Sequence, residues 1–248
     1  MQIEVVALPP TFDAPLVESR RLTPSVKELV LERADGAPFT FEAGQWVSLV
    51  LPLDVGELRR AYSIASAPDG TARFDLAVTR VEDGPGSSLL HALEPGAAMK
   101  AIGPQGFFTR PLDRTAPSLF VATGTGVTPF RSMIRAAIAA GDTAPLWLLF
   151  GVRREEDLLY RDELEALAAA HPHVRVEMTL SRPHEAWKGR HGYVQTHVPA
   201  LWSELTALDP RPAHAYVCGL HKMVGSVRDL LRKELGLPRD RVHTERYD

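Results

Sequence analysis

The 248 residues carry a formal net charge of −3, with 45% hydrophobic and 24% charged side chains. That balance is ordinary for a soluble globular protein and leaves no basic excess to hold nucleic acid or an anionic membrane surface. A single cysteine, Cys218, excludes an internal disulfide, a cysteine-held iron–sulfur cluster and a structural zinc site, so no metal is expected and a reducing compartment fits.

Residues 1–10 lack a basic n-region and contain Pro9-Pro10, so they do not read as a signal peptide. The longest apolar runs, such as residues 145–152, fall far short of the ~20 residues that cross a bilayer. No membrane attachment is expected, and the expected location is cytoplasmic.

From Leu16 to Ile102 the pattern is one of short strands separated by turns. Residues 46–51 are rich in β-formers and closed by Pro52. Residues 73–81 alternate, with Phe74, Leu76 and Val78 on one face. Asp35-Gly36 and Asp69-Gly70 are turn dipeptides. A short helix is predicted over 88–93, ended by Pro95-Gly96. Several short strands with regular turn signals predict a small antiparallel β-barrel or sandwich.

After Pro117 the period changes. Residues 118–122 read as a buried strand, and Thr128 offers a helix N-cap with Pro129 behind it. Phe130, Met133, Ile134, Ala137 and Ile138 follow at helical spacing. Next come a strand over 146–150, a helix over 155–170, a strand over 174–180 and a weaker helix over 195–205. A strand over 215–218, a helix marked by Met223, Val224, Val227, Leu230 and Leu231, and a strand over 241–245 complete the order. Such alternation predicts a doubly wound α/β domain with a parallel sheet and helices on both faces. The boundary falls in the polar stretch 113–117, dividing the chain into domains 1–114 and 115–248. The cleft between two such domains is a natural ligand site.

Within the first domain, Arg60-Ala61-Tyr62-Ser63 combines a cation, an aromatic and a hydroxyl. A flavin site needs a cation for its pyrophosphate, a flat surface for its ring and a donor near N5. The competing reading is an edge strand with an exposed arginine. Gly84-Pro85-Gly86-Ser87-Ser88 opens a helix with small residues, which lets backbone N–H groups approach an anion. The competing reading is a plain turn with an N-cap serine.

Together these segments resemble the ferredoxin–NADP reductase family, whose flavin domain carries an R-x-Y-S motif followed by a glycine–serine phosphate loop. Gly44-Gln45 and Gly103-Pro104-Gln105-Gly106 are similar to further landmarks of that domain. The resemblance implies that Arg60 binds the FAD pyrophosphate, Tyr62 packs on the flavin and Ser63 faces N5. Gly86 then allows close approach, and Ser87 and Ser88 hold phosphate through backbone and hydroxyl groups.

The second domain continues the resemblance. Thr123-Gly124-Thr125-Gly126-Val127-Thr128-Pro129 lies between a buried strand and an amphipathic helix, where a pyrophosphate meets a helix N-terminus. It is similar to the family's G-T-G-x-x-P loop and implies nucleotide contacts from Gly124, Thr125, Gly126 and Thr128. Cys218-Gly219 ends an apolar strand; a cysteine there usually serves only as a small buried hydrophobe. The resemblance implies instead that both residues lie beside the nicotinamide. Glu245 and Tyr247 are similar to the closing glutamate and tyrosine of plant-type members, implying a proton network with Ser63 and a ring stacked on the flavin. Asp248 departs from that pattern, and the competing reading is a surface tail.

The coenzyme is expected to be NADPH rather than NADH. Ser181-Arg182 follows a strand at its carboxyl end, and Arg190, Tyr193 and Gln195 follow, with no acidic residue after the strand. NADPH-using members are similar here, implying a 2′-phosphate held by Ser181, Arg182 and Arg190 and an adenine stacked on Tyr193. His191 stands where a lysine is usual. The implied enzyme passes electrons from NADPH through FAD to a separate ferredoxin or flavodoxin, acting as a monomer. Two alternatives stay open: a reductase component serving a specific oxygenase with NADH, and a non-catalytic flavin-binding sensor. Retention of Ser63, Cys218 and Glu245 argues against the sensor, since none is needed merely to hold FAD.

Overall fold

A computed structural model describes residues 9–53, 56–111 and 115–247. The first half contains β1 (Thr11–Asp13), β2 (Leu16–Thr23), β3 (Val26–Glu32), β4 (Trp46–Leu53), β5 (Gly56–Ser63), β6 (Arg73–Thr79), helix α1 (Pro85–Ala92) and β7 (Lys100–Gln105). Two antiparallel sheets form, ordered β1-β7-β4-β5 and β2-β3-β6, and an isolated bridge from Ile64 to Leu76 joins them. Alternation drives this closure. Val47, Leu49 and Leu51 of β4 and Phe74, Leu76 and Val78 of β6 point inward and are fully buried. Pro52 does not close β4. Pairing with β7 extends only as far as Val50, so the missing Pro52 N–H falls where one side of the strand is already open.

The second half contains β8 (Ser118–Thr123), α2 (Thr128–Ala139), β9 (Leu146–Val152), α3 (Arg161–Ala170), β10 (Val174–Leu180), β11 (Arg190–His191), α4 (Val198–Leu208), β12 (His214–Leu220), α5 (His221–Asp229) and β13 (Val242–Tyr247). Its six strands are all parallel, in the order β11-β10-β9-β8-β12-β13. Successive residues of β8 face opposite ways. Phe120 and Ala122 pack with Phe130, Met133 and Leu164 of α2 and α3, while Leu119 and Val121 pack with Leu201, Leu205, Val224 and Val227 of α4 and α5. The chain winds outward from β8 to β11 and then returns to β12 on β8's other side. A topological switch point therefore lies between β8 and β12.

Local departures from the sequence expectation have physical causes. Helix α1 begins at Pro85 rather than 88, because proline tolerates the first helical turn. Thr128 is not an N-cap. A 3₁₀ turn, Gly124–Val127, precedes α2, and the Thr128 hydroxyl donates to the Thr125 carbonyl at 2.8 Å. The helix expected over 155–170 is broken. A 3₁₀ turn covers Glu155–Asp157, and Tyr160 takes the left-handed φ of 55° just before α3. Leu158, Leu159 and Tyr160 are all buried, and three consecutive residues cannot share one helix face. The helix expected over 195–205 starts at Val198, after a 3₁₀ turn at Val194–Thr196. The expected domain boundary touches residues 112–114, which lie outside the described residues.

Arg110 ties the end of the first half to the second. Its guanidinium donates to Asp142 Oδ2 at 2.7 Å, Ser118 Oγ at 3.0 Å and the Ala116 carbonyl at 3.2 Å. Both charged side chains are almost wholly buried. Removing one partner strands the other charge in low dielectric. Asp142→Ala should therefore cost about 3–5 kcal/mol in urea denaturation. Glu18→Ala, which breaks an exposed pair with Arg73, should cost less than about 1 kcal/mol. Equal losses from the two variants would refute the buried-clamp reading.

Candidate active site

The strand register of the second sheet builds the centre. Cys218 lies opposite Ala122 of β8 on one side and Glu245 of β13 on the other; Leu220 lies opposite Tyr247. The carboxyl ends of β8, β12 and β13 thus meet at the switch point, and β5 of the first half ends against them with Ser63. The Ser63 hydroxyl donates to Glu245 Oε2 at 3.2 Å. The Tyr247 hydroxyl donates to Ser63 Oγ in a short hydrogen bond, and Thr128 Oγ1 lies 3.4 Å from the same tyrosine oxygen. The result is a directed chain from Tyr247 through Ser63 to Glu245, assembled from both halves.

Desolvation sets the charge state of this chain. Burial pushes the Glu245 carboxyl up to about 7, against the opposing effect of the Ser63 hydrogen bond. Burial pushes the Cys218 thiol well up, and neighbouring Glu245 pushes it further. Burial likewise raises the Tyr247 hydroxyl. Cys218 and Tyr247 are therefore neutral near pH 7, and Glu245 is poised to gain or lose a proton. A thiol so buried and held neutral is no nucleophile.

Backbone approach is closest at the glycines. A Cβ on Gly126 would lie 2.4 Å from the Cys218 carbonyl oxygen and 2.8 Å from Gly219 Cα. A Cβ on Gly219, whose φ is 141°, would lie 2.3 Å from Thr123 Oγ1. The Gly124–Val127 turn therefore seats directly on the Cys218-Gly219 backbone, and no other residue type fits either position without movement.

Arg60 and α1 form a second region. Arg60 is exposed on β5, and among the described residues no carboxylate pairs with it. A Cβ on Gly86 would fall 3.0 Å from Leu51 Cδ1 and 3.7 Å from Arg60 Cγ, so the first turn of α1 sits against the arginine stem. No side chain caps this helix. The first-turn N–H groups thus lie beside the stem of Arg60, whose guanidinium donates to the Arg59 carbonyl at 3.0 Å, a pairing of donor groups that suits a pyrophosphate. The expectation for Ser87 needs correction. Its hydroxyl is turned inward, accepting from the Val81 N–H at 3.0 Å and lying 3.1 Å from the Gly84 carbonyl, so only its backbone N–H remains for an anion. Ser88 spends its N–H on the Gly84 carbonyl at 2.9 Å and keeps its hydroxyl. Tyr62 is half-buried beside the first core, and burial pushes its hydroxyl up to about 12 against the opposing charge of Arg60.

A cleft of about 610 Å³ opens between the halves. Thr23, Ser25 and Thr79 line one wall; Gly124 and Thr125, Ser181 and Arg182, and Tyr193 and Gln195 line the other. Tyr193 presents 65% of its surface. The cleft also holds Arg153 and Lys222, which sequence reasoning missed. Arg153 is the first residue after β9 and Arg182 the second after β10, so a basic residue at the carboxyl end of each of two neighbouring strands was the readable signal. Lys222 has no comparable mark beyond opening the helix after Cys218-Gly219. Among the described residues, none of these three cations is in an ion pair, and Asp157 is the one acidic residue lining the cleft. Such a donor set fits an extended phosphorylated nucleotide.

Arg190 is not brought into this cleft. Its Nε donates to Glu177 Oε2 at 2.9 Å, and Glu177 also binds Arg175. The guanidinium is spent on that carboxylate, which corrects its expected place among the phosphate ligands. Among the described residues no His/Cys/Asp/Glu cluster could hold a metal, and no helix is long and apolar enough to cross a membrane.

Comparison with known proteins matches both halves. Residues 13–109 match the oxidoreductase FAD-binding domain, and residues 120–229 match the oxidoreductase NAD-binding domain. The chain is 63% identical over 238 residues to ferredoxin–NADP reductase B of Sorangium cellulosum, covering 96% of this chain and 98% of that one. It is 30% identical to the phenol hydroxylase P5 protein of Acinetobacter pittii, of which it spans 65%. Among solved structures, it superposes on a cytochrome P450 reductase of Amycolatopsis with a TM-score of 0.81 and 28% identity, covering 96% of this chain and 70% of that one. A ferredoxin–NADP+ reductase of Neisseria gonorrhoeae shares the fold, with a TM-score of 0.80 at 20% identity and coverage of 95% and 98%.

The raised Glu245 carboxyl makes stability depend on pH in a fixed direction. Below the ordinary carboxylate range both folded and unfolded states hold the proton, and no penalty exists. As pH rises towards 7 the unfolded state ionises first, so the folded state loses stability until Glu245 also ionises. The loss should be on the order of 2–3 kcal/mol. Glu245→Gln should abolish it. Urea denaturation of both proteins at pH 5 and pH 8 measures the difference; parallel pH profiles would contradict the assignment.

Proposed function

Because this chain belongs to the ferredoxin–NADP reductase family, we propose that Ser63, Glu245, Tyr247 and Cys218 form its reaction centre, with the first half holding FAD and the cleft holding NADPH. The chain is an FAD-dependent oxidoreductase that uses NADPH. The observation that carries the site assignment is the hydrogen-bonded run Tyr247–Ser63–Glu245 at the switch point, against the Gly124–Val127 turn. Three strand ends and a phosphate-type loop from different parts of the sequence meet there. Nothing about stability alone requires a buried carboxyl to face a serine across a domain boundary.

Held on the first half, FAD would supply two-electron chemistry with NADPH and one-electron chemistry with an acceptor. The chain's own residues supply binding, orientation and proton control. Arg60 and the open first turn of α1, with Gly86 at its closest approach, hold the pyrophosphate of FAD. Ser87 contributes its backbone N–H and Ser88 its hydroxyl. Tyr62 would pack on the flavin ring. Gly124 and Thr125, which line the cleft, seat the pyrophosphate of NADPH, while Gly126 lets the turn lie on β12 and the buried Thr128 hydroxyl is taken by the Thr125 carbonyl; Gly219 leaves room beside Cys218 for the nicotinamide. Cys218 acts as a small neutral wall.

Ser63 Oγ is the atom at which a proton is exchanged. It donates to Glu245 and accepts from Tyr247; once Glu245, which titrates near neutrality, takes up a proton, that bond can reverse and the carboxyl can resupply a proton lost at Ser63. Tyr193 and Gln195 flank the adenine. Ser181 and Arg182 hold the 2′-phosphate, and Arg153 supplies the further cation that Arg190 does not.

The acceptor is a ferredoxin, as named for the Sorangium relative; a flavodoxin would meet the same need for a one-electron carrier. We place the enzyme in the cytoplasm as a monomer, with the two domains meeting near residue 114. The purified protein should be yellow, and NADPH should bleach its flavin faster than NADH. Cytochrome c reduction should depend on added ferredoxin. A colourless protein that takes up no flavin would sink the reading, and reduction independent of ferredoxin would favour service to a specific oxygenase.

Arg182 carries the coenzyme choice in this arrangement. A charge-assisted hydrogen bond contributes about 1.5–3 kcal/mol, so Arg182→Ala should raise KM for NADPH roughly tenfold to a hundredfold. KM for NADH should stay nearly constant, since NADH lacks the phosphate. Equal losses with both coenzymes would remove Arg182 from the phosphate site. Arg190→Ala, tested beside it, should do much less, because Glu177 already holds that guanidinium.

A further inference from the structure

One face of α2 is turned towards the first half and is polar where it crosses the boundary. Thr128, Arg131 and Ser132 are three and four residues apart, so they share that face. Thr128 lies at the Tyr247 hydroxyl. Arg131 Nη1 donates to the Ala65 carbonyl at 2.8 Å and to Asp75 Oδ2 at 3.2 Å, both in the first half. Its Nε donates to Glu163 of α3 at 2.9 Å, and its guanidinium lies 4.5 Å from the Tyr160 ring centroid. Ser132, fully buried, donates to the Ser66 carbonyl at 2.6 Å.

The segment these side chains grip is the direct continuation of Ser63. Ala65 N–H donates to the Asp75 carbonyl at 2.7 Å, and Asp75 N–H donates to Ser66 Oγ at 3.0 Å, which pins the segment to β6. We propose that Arg131, assisted by Ser132, is a positioning residue that fixes the spacing between Ser63 and the Gly124–Thr128 nucleotide loop. This rests on the reaction centre proposed above.

The chemistry of the contact suits positioning better than adhesion. A buried guanidinium is costly to desolvate, and apolar side chains of similar size often stabilise a boundary more. What the guanidinium adds is direction. Its planar fork fixes a carbonyl, an aspartate and a glutamate at set angles, which a lysine cannot do. Tyr160 supports the fork from a left-handed φ of 55°, a conformation costly for a residue with a Cβ and held only by its surroundings. Transfer between two bound cofactors is steep in distance, and misplacement by about 1 Å costs on the order of a hundredfold in rate.

The test uses FAD-loaded wild type, Arg131→Met, Arg131→Lys and Ser132→Ala in rapid-mixing experiments. At saturating NADPH, flavin reduction per bound FAD should slow roughly tenfold to a hundredfold in Arg131→Met, with Arg131→Lys only partly rescued. Half-saturation by NADPH should change by less than about threefold, because the nucleotide's own ligands are intact. Reoxidation of dithionite-reduced flavin by ferricyanide should be unchanged, since it needs only the flavin. Should Arg131→Met fail to fold, Arg131→Lys and Ser132→Ala decide, and slowed reduction at unchanged half-saturation supports the proposal. Wild-type reduction rates in folded variants, with only a lower Tm, would overturn it. So would weaker NADPH binding at an unchanged limiting rate. A wild type that NADPH does not reduce would instead defeat the reaction-centre reading on which the proposal stands.

Discussion

The structure turns on one close backbone contact, where the Gly124–Val127 turn lies on the Cys218-Gly219 segment of β12 with no room for a Cβ at Gly126. Adjacent parallel strands bring β8 and β12 side by side, but only glycine lets the turn after β8 fold down onto the end of β12. That seating sets where α2 begins. It brings Thr128 to Tyr247, and one turn later it aims Arg131 and Ser132 at the first half. The register from β12 to β13 then carries Glu245 and Tyr247 to Ser63. A shift of one residue in β13 would point both side chains to the opposite face of the sheet.

Around this contact the molecule separates charge from neutrality. The centre is desolvated, and burial raises the proton affinities of Glu245, Cys218 and Tyr247 together. The approaches are cationic: Arg60 lies beside α1, and Arg153, Arg182 and Lys222 lie along the cleft. Phosphates are thereby held at the rim, where solvent tempers the cost of charge, and the neutral interior is left for the transfer. Arg131 is the exception that explains itself. It is a buried cation close to the centre, but Asp75 and Glu163 neutralise it, and its direct contacts are structural carbonyls and carboxylates.

Much of the architecture was legible because hydrophobic period is a local property. Phe74, Leu76 and Val78 announced β6, and the change from period two to period 3.6 after Pro117 announced the second half. Among the segments marked by short-range chemistry, Gly124-Thr125 and Ser181-Arg182 line the cleft. The readings that missed turned on partners that the local pattern could not place. Arg190 read as a phosphate ligand because Glu177, on the neighbouring strand, could not be placed opposite it. Ser87 read as a phosphate hydroxyl because its inward bonds to Val81 and Gly84 depend on the path of the preceding loop. Tyr160 hid within a good helical pattern, since its left-handed turn is imposed by packing under Arg131. The meeting of Ser63 with Glu245 came only from family resemblance; no periodicity links residues so far apart.

The same dependence on partners explains why the two halves can be covalently simple and still act as one. The described segments that approach the boundary are joined by few secondary-structure hydrogen bonds, and the sheets on either side do not pair with each other. Orientation must then come from side chains. Arg110 with Asp142 holds the chain where it enters β8, at the amino end of the sheet. Arg131 and Ser132 hold Ala65 and Ser66 nearer the carboxyl end. Two separated ties restrict rotation as well as distance, which a single hinge contact cannot do. Apolar packing at such a boundary is non-directional and would permit sliding. Hydrogen bonds to fixed carbonyls and carboxylates are directional, and they keep Ser63 facing Glu245 while the cleft beside them stays open to a nucleotide.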